Sequence, residues 1–187
     1  MSSPSRTTTH PDSNAIIEFW RDAGPSRWFA SNALFDAEFR SRFLEQHEAA
    51  RQGECNDWLG DAFGALALVI LLDQFPRNAF RGTARMYSTD VQARRVAEQA
   101  IKAGFDARIP AELRLFFYLP FAHSEDLADQ DKSLRLSIAL GPEYIKHAQE
   151  HHDIIRRFGR FPHRNKLLDR TPTEEEKRFL EEGGFAG

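Results

Sequence analysis

A run of apolar residues from Ala62 to Leu72 is the feature that most constrains what this chain can fold into. From Phe63 to Phe75 nearly every position is apolar, so a helix there has no polar face to turn toward solvent. Such a helix belongs at the centre of a helical core. The run is too short to cross a bilayer, which needs about 20 apolar residues. We therefore expect a buried helix that ends at Pro76.

The rest of the chain shows the periodicity of amphipathic helices rather than the alternation of strands. Capping residues or prolines begin the helices, and glycines or prolines end them. The expected helices span about 14–23, 32–52, 63–75, 89–103, 110–118 (interrupted by Pro120), 124–140, 142–158 and 173–182. Capping-box patterns start at Thr89 and at Thr173. The prediction is an all-α fold of about eight helices stacked as antiparallel hairpins.

The composition limits the classes of protein to which this chain can belong. The chain has 187 residues and a net charge of −3, so we expect one domain over 14–187 after a polar, disordered lead-in at 1–13. The negative charge argues against nucleic acid as a partner. With one cysteine, Cys55, no signal peptide and no membrane span, a cytoplasmic location is expected. Oligomeric state cannot be read from the sequence.

A first polar cluster follows the apolar run, at Leu71–Asn78 and Arg81. Asp73 would orient a catalytic base, and Arg77 and Arg81 would hold an anion. The alternative is structural: arginines near a helix C-terminus are favoured by the helix dipole, and they would pair with Asp73.

A second cluster, Pro120–Asp126, contains His123 and Glu125. A bend after Pro120 would bring the two side chains together, with His123 as a general base oriented by Glu125. The alternative is that Ser124, Glu125 and Asp126 are first-turn residues of the next helix, where acidic side chains are stabilising.

A third cluster, His151–Asn165, is the most distinctive. Residues 151–170 contain six Lys or Arg against two Asp, a local excess of positive charge. Gly159 and Pro162 predict a fixed loop after a helix. That loop presents donors suited to a carboxylate or a phosphate. Alternatively, its arginines would pair with acidic residues of the other clusters in a buried network without a ligand.

Other kinds of site are less well supported. The sequence contains no phosphate-binding loop, dinucleotide fingerprint, nucleophile elbow or zinc-protease motif, so no cofactor is predicted. His123, Glu125, His151 and His163 are residue types that could bind a metal ion, but the neighbouring arginines would repel a cation, and no metal site is predicted. An RNA-binding patch would use Phe158 and Phe161 for stacking, and it ranks last because of the net charge.

Taken together, the three clusters resemble the domain of unknown function 924 (DUF924) family of bacterial and fungal proteins. The stretches that carry the resemblance are Phe19-Trp20, Trp28-Phe29, Phe35-Asp36 with Phe39 and Arg42-Phe43, Trp58, Leu71–Asn78 with Arg81, Leu119–Gln130, His151–Asn165 and Asp169–Thr173. One departure is Asp169, where family members usually have glycine before the arginine. The resemblance implies an all-α, tetratricopeptide-like fold and supplies no reaction.

The leading hypothesis from the sequence is a soluble protein that binds, and in one version transforms, a small anionic ligand. The alternative is a tetratricopeptide-like module that binds a peptide or protein, with the polar motifs as a buried structural network. The candidate catalytic residues are His123, Glu125, His163 and Asp73, and the candidate ligand-binding residues are Arg77, Arg81, Arg160, Arg164, Asn165 and His151.

Overall fold

The computed structural model describes residues 11–187, which are all-helical as the sequence predicts and contain no strand. Residues 1–10 of the predicted lead-in lie outside the described residues. Residues 11–13, also predicted to belong to it, are the start of the first helix. Within the described range, no helix is both long enough and apolar enough to cross a membrane. The described chain forms two compact units. The single domain and the tetratricopeptide-like stacking of hairpins stay predictions.

Unit 1 comprises the described residues up to Arg81 together with Arg85–Pro120. Its helices are α1 (Pro11–Ala23), α2 (Pro25–Trp28), α3 (Ala33–Gln52), α4 (Ala62–Val69), α5 (Phe75–Ala79), α6 (Asp90–Lys102) and α7 (Ala111–Ala122), the last extending past the unit boundary. Asn32 caps α3 by accepting hydrogen bonds from the Leu34 and Phe35 backbone. Trp20, Phe39, Phe75 and Phe116 form a fully buried aromatic core.

The buried helix does not break at Pro76, contrary to the prediction. A π-helical turn, Ile70–Gln74, joins α4 to α5, and Phe75 N donates to Ile70 O in place of the usual α-helical acceptor. Pro76 therefore lies inside a continuous helical path. A proline in a helix removes one backbone hydrogen bond, so the carbonyls around it need other donors.

Side chains supply those donors. Each carbonyl from Leu71 to Gln74 accepts one; the donors, in order, are His47 Nδ1, Thr89 Oγ1, Arg77 Nη1 and Asn78 Nδ2, at 2.9, 2.6, 2.8 and 2.8 Å. The capping box predicted at Thr89 is therefore wrong, because its hydroxyl donates to Leu72 O and does not cap α6. Part of the first cluster thus stabilises an irregular helix.

Unit 2 comprises Gly82–Ala84 and Phe121–Gly187. Its helices are α8 (Leu127–Leu140), α9 (Pro142–Phe158) and α10 (Glu174–Glu181), and α8 packs along α9. Asp126 caps α8, so Ser124, Glu125 and Asp126 precede the helix, and the prediction that they form its first turn is wrong. The predicted interruption at Pro120 is wrong, because α7 continues to Ala122. Gln130 Nε2 donates to Ala122 O and Ser124 O, at 2.7 and 2.6 Å, and holds the connection between α7 and α8.

Candidate functional site

In unit 1, Arg77 is the centre of a buried ion-pair network. Its Nη1 lies 3.2 Å from Asp73 Oδ1, which confirms the predicted pairing with Asp73. Its guanidinium also binds Asp90 in a bidentate pair at 2.9 and 3.1 Å, a partner that was not predicted because no local sequence pattern links the two residues. Burial lowers the pKa of Arg77, but Asp73 and Asp90 outweigh burial and raise it.

Arg81, also predicted to bind a ligand, is paired within unit 1. Its Nε and Nη2 donate to the two carboxylate oxygens of Asp36 at 2.7 and 3.1 Å, and Nη2 also donates to Asn78 Oδ1 at 3.2 Å. Asp73 is fully buried and accepts a further hydrogen bond from Gln74 Nε2 at 2.6 Å. The polar side chains of the first cluster therefore bind one another and their neighbours.

In unit 2, Glu125 joins the second cluster to the third. Arg170 donates to both of its carboxylate oxygens at 2.9 Å, and the Phe161 backbone N–H donates to Oε1 at 2.9 Å. Burial raises the pKa of Glu125, but these hydrogen bonds outweigh it and hold the pKa below its usual value. Glu125 therefore binds Arg170, a partner that was not predicted, in addition to the Phe161 backbone.

Asp169, the residue before Arg170, has an unusual backbone conformation. Among the described residues it is the one non-glycine residue with positive φ, at 54°. Glycine adopts this left-handed conformation without steric strain. Other residues are strained in it by their Cβ, although aspartate is strained less than most. This is the position where the sequence departs from the Gly-Arg pattern of the family that it resembles.

Asp169→Gly is therefore expected to raise the free energy of unfolding by about 0.5–1 kcal/mol, because it relieves the left-handed strain. Urea unfolding followed by circular dichroism measures the change. Asp169→Ala is the matched control, which keeps the Cβ and is expected to be no more stable than the wild type. A glycine variant less stable than the alanine variant would contradict this account.

Glu176 is the second anchored carboxylate of unit 2 and is almost fully buried. Arg160 binds it in a bidentate pair at 2.6 and 2.8 Å, and Asn165 Nδ2 donates to it at 3.2 Å. The capping box predicted at Thr173 is confirmed: Thr173 N donates to Glu176 Oε2, and Glu176 N donates to Thr173 Oγ1. The Arg160 hydrogen bond is the main cause that lowers the pKa of Glu176 to about 2. Arg160 and Asn165 thus contact a carboxylate of the protein itself.

Three histidines of the predicted set lie close together in unit 2. The ring centroids of His123 and His151 are 6.4 Å apart, and Phe161 contacts both His151 and His163, at 5.4 and 5.5 Å. Arg164 is buried beside them: its Nη2 donates to His123 O at 3.0 Å, and its guanidinium lies 4.4 Å over the Phe161 ring. We name His123, His151, His163 and Arg164 the histidine site.

Some buried polar atoms at or beside the histidine site have no hydrogen-bond partner among the described residues. His163 Nδ1 and Asn165 Oδ1 are two of them, and both are inaccessible to solvent. Buried polar atoms normally have partners, so each such atom calls for an explanation, such as a bound molecule. The described residues contain no group of three or more His, Cys, Asp or Glu side chains that could hold a metal ion.

Burial and neighbouring groups lower the pKa of two histidines of the histidine site. Burial, then Arg164 and His151, lower the pKa of His163 to about 3. Burial and His123 lower the pKa of His151 to about 4. Both imidazoles are therefore neutral at pH 7. His151 Nδ1 lies 2.8 Å from His147 O, and because a carbonyl only accepts, Nδ1 carries the proton and Nε2 is an acceptor.

Comparisons with known proteins give a family but no activity. The model of the DUF924 family, described as bacterial proteins of unknown function, matches residues 16–184. A solved structure of a protein of unknown function from Agrobacterium tumefaciens is 52% identical and has a TM-score of 0.90. The match covers 91% of this chain and 97% of that one. No curated protein matches the chain significantly.

Proposed function

Because the chain belongs to the DUF924 family, whose description names no activity, we propose from geometry alone that unit 2 binds a small oxyanion at the histidine site. The observation that carries the proposal is the gathering of the His151 and His163 imidazoles and the Arg164 guanidinium around Phe161, with the His123 ring beside His151. This is the part of the predicted site at which polar atoms remain without partners, at His163 and Asn165.

The anchored carboxylates of unit 2 support this location. Glu125 is bound by Arg170 and by the Phe161 backbone, and Glu176 is bound by Arg160. Their charges are balanced by these arginines, which makes Arg160 a structural residue in this proposal. In unit 1, Arg77 and Arg81 are likewise engaged with carboxylates. The network hypothesis accounts for these arginines, and the ligand hypothesis accounts for the histidines.

The charge of Arg164 indicates which kind of ligand the histidine site favours. Burial is the main cause of the lowered pKa of His163, and the positive field of the Arg164 guanidinium adds to it, while Glu125 opposes it. A bound anion would interact favourably with the same field, and it would raise the pKa values of the imidazoles that it contacts. Oxyanions are also the ligands that guanidinium groups bind in bidentate geometry.

The tautomer of His151 indicates which oxyanions would bind best. Its Nε2 accepts hydrogen bonds, so an ion that also carries an O–H satisfies it, whereas a fully deprotonated ion does not. Hydrogen phosphate has both kinds of group. We therefore expect inorganic phosphate to bind more tightly than sulfate, which has no O–H at neutral pH.

The geometry supports binding more than acid–base catalysis. A histidine whose pKa is about 3 is a weak base at pH 7, so His163 would abstract a proton slowly unless a bound anion raises its pKa. Glu125, assigned in the sequence analysis to orienting such a base, is engaged by Arg170. A catalytic role for His123 or His163 remains part of this proposal only in the anion-bound state.

A thermal-shift titration with inorganic phosphate tests the proposal. A ligand at 100 times its dissociation constant stabilises the native state by about 2.7 kcal/mol, an effect that is readily measured. We expect a saturable rise in the melting temperature of the wild type that His163→Gln abolishes. The matched control is His147→Gln, because His147 is an exposed histidine of α9 outside the site. Equal responses in all three proteins, or no response in any, would contradict the proposal and favour a protein-interaction module.

The pH dependence of sulfate binding provides a second check. Because a bound anion raises the imidazole pKa values, the complex holds more protons than the free protein, and affinity increases as the pH falls from 7 to 5. The affinity for sulfate can increase by at most about tenfold per pH unit for each proton that binding takes up. Sulfate does not titrate in this range, so isothermal calorimetry reports on the protein alone. A constant affinity, or one that weakens on acidification, would contradict the proposal.

A further inference from the structure

Four aromatic rings form a closed box at the histidine site, and one wall comes from a different segment. His151, Phe161 and His163 belong to α9 and the loop after it, and Phe185 follows α10. Phe185 lies 4.7 Å from His151 and 5.1 Å from His163, between ring centroids, and each histidine also contacts Phe161. Histidine and phenylalanine therefore alternate around the box.

The segment that carries Phe185 is held firmly only up to Gly184. Gly183 has φ of 84° and ends the last turn of α10, and Gly184 N donates to Phe179 O at 2.9 Å. A Cβ at Gly184 would lie 2.5 Å from Phe179, so the backbone is fixed against that residue. Beyond this point no hydrogen bond involves residues 185–187 within the described part of the chain. The packing of the Phe185 ring against the two histidines and the apolar cluster of Ile154, Ile155 and Phe161 holds the segment.

We infer that Phe185 is a displaceable occupant of a subsite for an aromatic ring, and that the ligand of the histidine site is an oxyanion carried on such a ring. This inference rests on the proposed function for the anionic part of the ligand. The ring of the ligand would replace Phe185 against His151 and His163. Its oxyanion would bind Arg164 and the imidazoles.

The ring contacts of Phe185 favour an aromatic occupant over an aliphatic one. The contacts of Phe185 are ring-to-ring, tilted by 56° against His151 and nearly perpendicular, at 80°, to His163, as electrostatically favoured aromatic pairs are. The histidines are neutral at pH 7, so their rings pack against an apolar ring without a buried charge. The segment from Phe185 onward is also free of the hydrogen bonds that would resist its departure.

Calorimetric titration of the wild type, Phe185→Ala and Phe185→Leu with inorganic phosphate and with phenyl phosphate tests the inference. In Phe185→Ala, the affinity for phenyl phosphate relative to inorganic phosphate is expected to rise about tenfold, because the vacated space accepts the phenyl ring. Phe185→Leu fills that space with an aliphatic side chain and is expected to show a much smaller rise. An unchanged ratio in Phe185→Ala would overturn the inference.

A second readout separates this inference from the proposed function. If inorganic phosphate binds none of the three proteins, the proposed function is wrong, and the occupancy of the box is tested by acylation of neutral imidazoles with diethyl pyrocarbonate. Phe185→Ala should speed the modification of His163 at least severalfold, while the exposed His147 of the same protein serves as the internal standard. Equal rates at His163 in the wild type and the variant would show that Phe185 does not cover it.

Discussion

Replacing Arg77 with methionine is expected to lower the free energy of unfolding by about 3–5 kcal/mol, the usual cost of removing one partner from a buried ion pair. The side chain of Asp73 is fully buried and that of Asp90 is 10% exposed, and Arg77 is the guanidinium that binds both. The variant also removes the donor to Asp73 O in the π-helical turn. Urea unfolding at pH 7 followed by circular dichroism measures the loss.

Arg81→Met is the matched control. Arg81 is 40% exposed and pairs with Asp36 near the surface, and such pairs contribute about 0–1 kcal/mol. A loss in Arg77→Met that is no larger than in Arg81→Met would show that the first cluster is not a structural network. Arg77 would then return to the list of candidate ligand-binding residues.

Acidification is expected to produce the second large effect, through the histidine site. The folded-state pKa values of His151 and His163 are about 4 and about 3, below their ordinary value of 6.5. At pH values between the folded-state pKa and 6.5, each histidine is protonated in the unfolded chain but not in the folded protein. The free energy of unfolding therefore falls as the pH falls through this range. From pH 6.5 to 4.5 each of the two histidines removes about 2 kcal/mol.

His163→Gln isolates this effect. The variant should lose about 2 kcal/mol less than the wild type over the same pH range, in a zwitterionic buffer without phosphate. His47, whose pKa burial also lowers, contributes equally to both proteins and cancels in the comparison. His147→Gln is expected to follow the wild type. The same pH dependence in wild type and His163→Gln would contradict the electrostatic description of the site.

The sequence predicted the helices well where local signals decide them. Asn32, Asp126 and Thr173 accept backbone hydrogen bonds at the N-termini of α3, α8 and α10. The predictions at Pro76 and Pro120 were wrong because tertiary context overrides local preference. At Pro76 a π-helical turn, together with donors from distant residues such as His47 and Thr89, accommodates the proline.

The candidate site was predicted in outline but not in its pairings. Asp73 as a partner of Arg77 follows from their spacing of four residues on a helix. The partners Asp90, Arg170 and Glu176 lie 13, 45 and 16 residues from Arg77, Glu125 and Arg160, and no local pattern links them. Phe185 carries no polar signal, so its place beside His151 depends on how α10 ends, which the sequence does not specify.

Imidazole nitrogen NMR during a phosphate titration tests the central claim most directly. In the free protein at pH 7, His151 and His163 are expected to give the signals of neutral rings, with His151 protonated at Nδ1. Saturating phosphate should shift the signals of both rings, and of His123, while the exposed His147 stays unchanged. Saturable phosphate binding that leaves these three rings unaffected would contradict an anion site at His123, His151, His163 and Arg164.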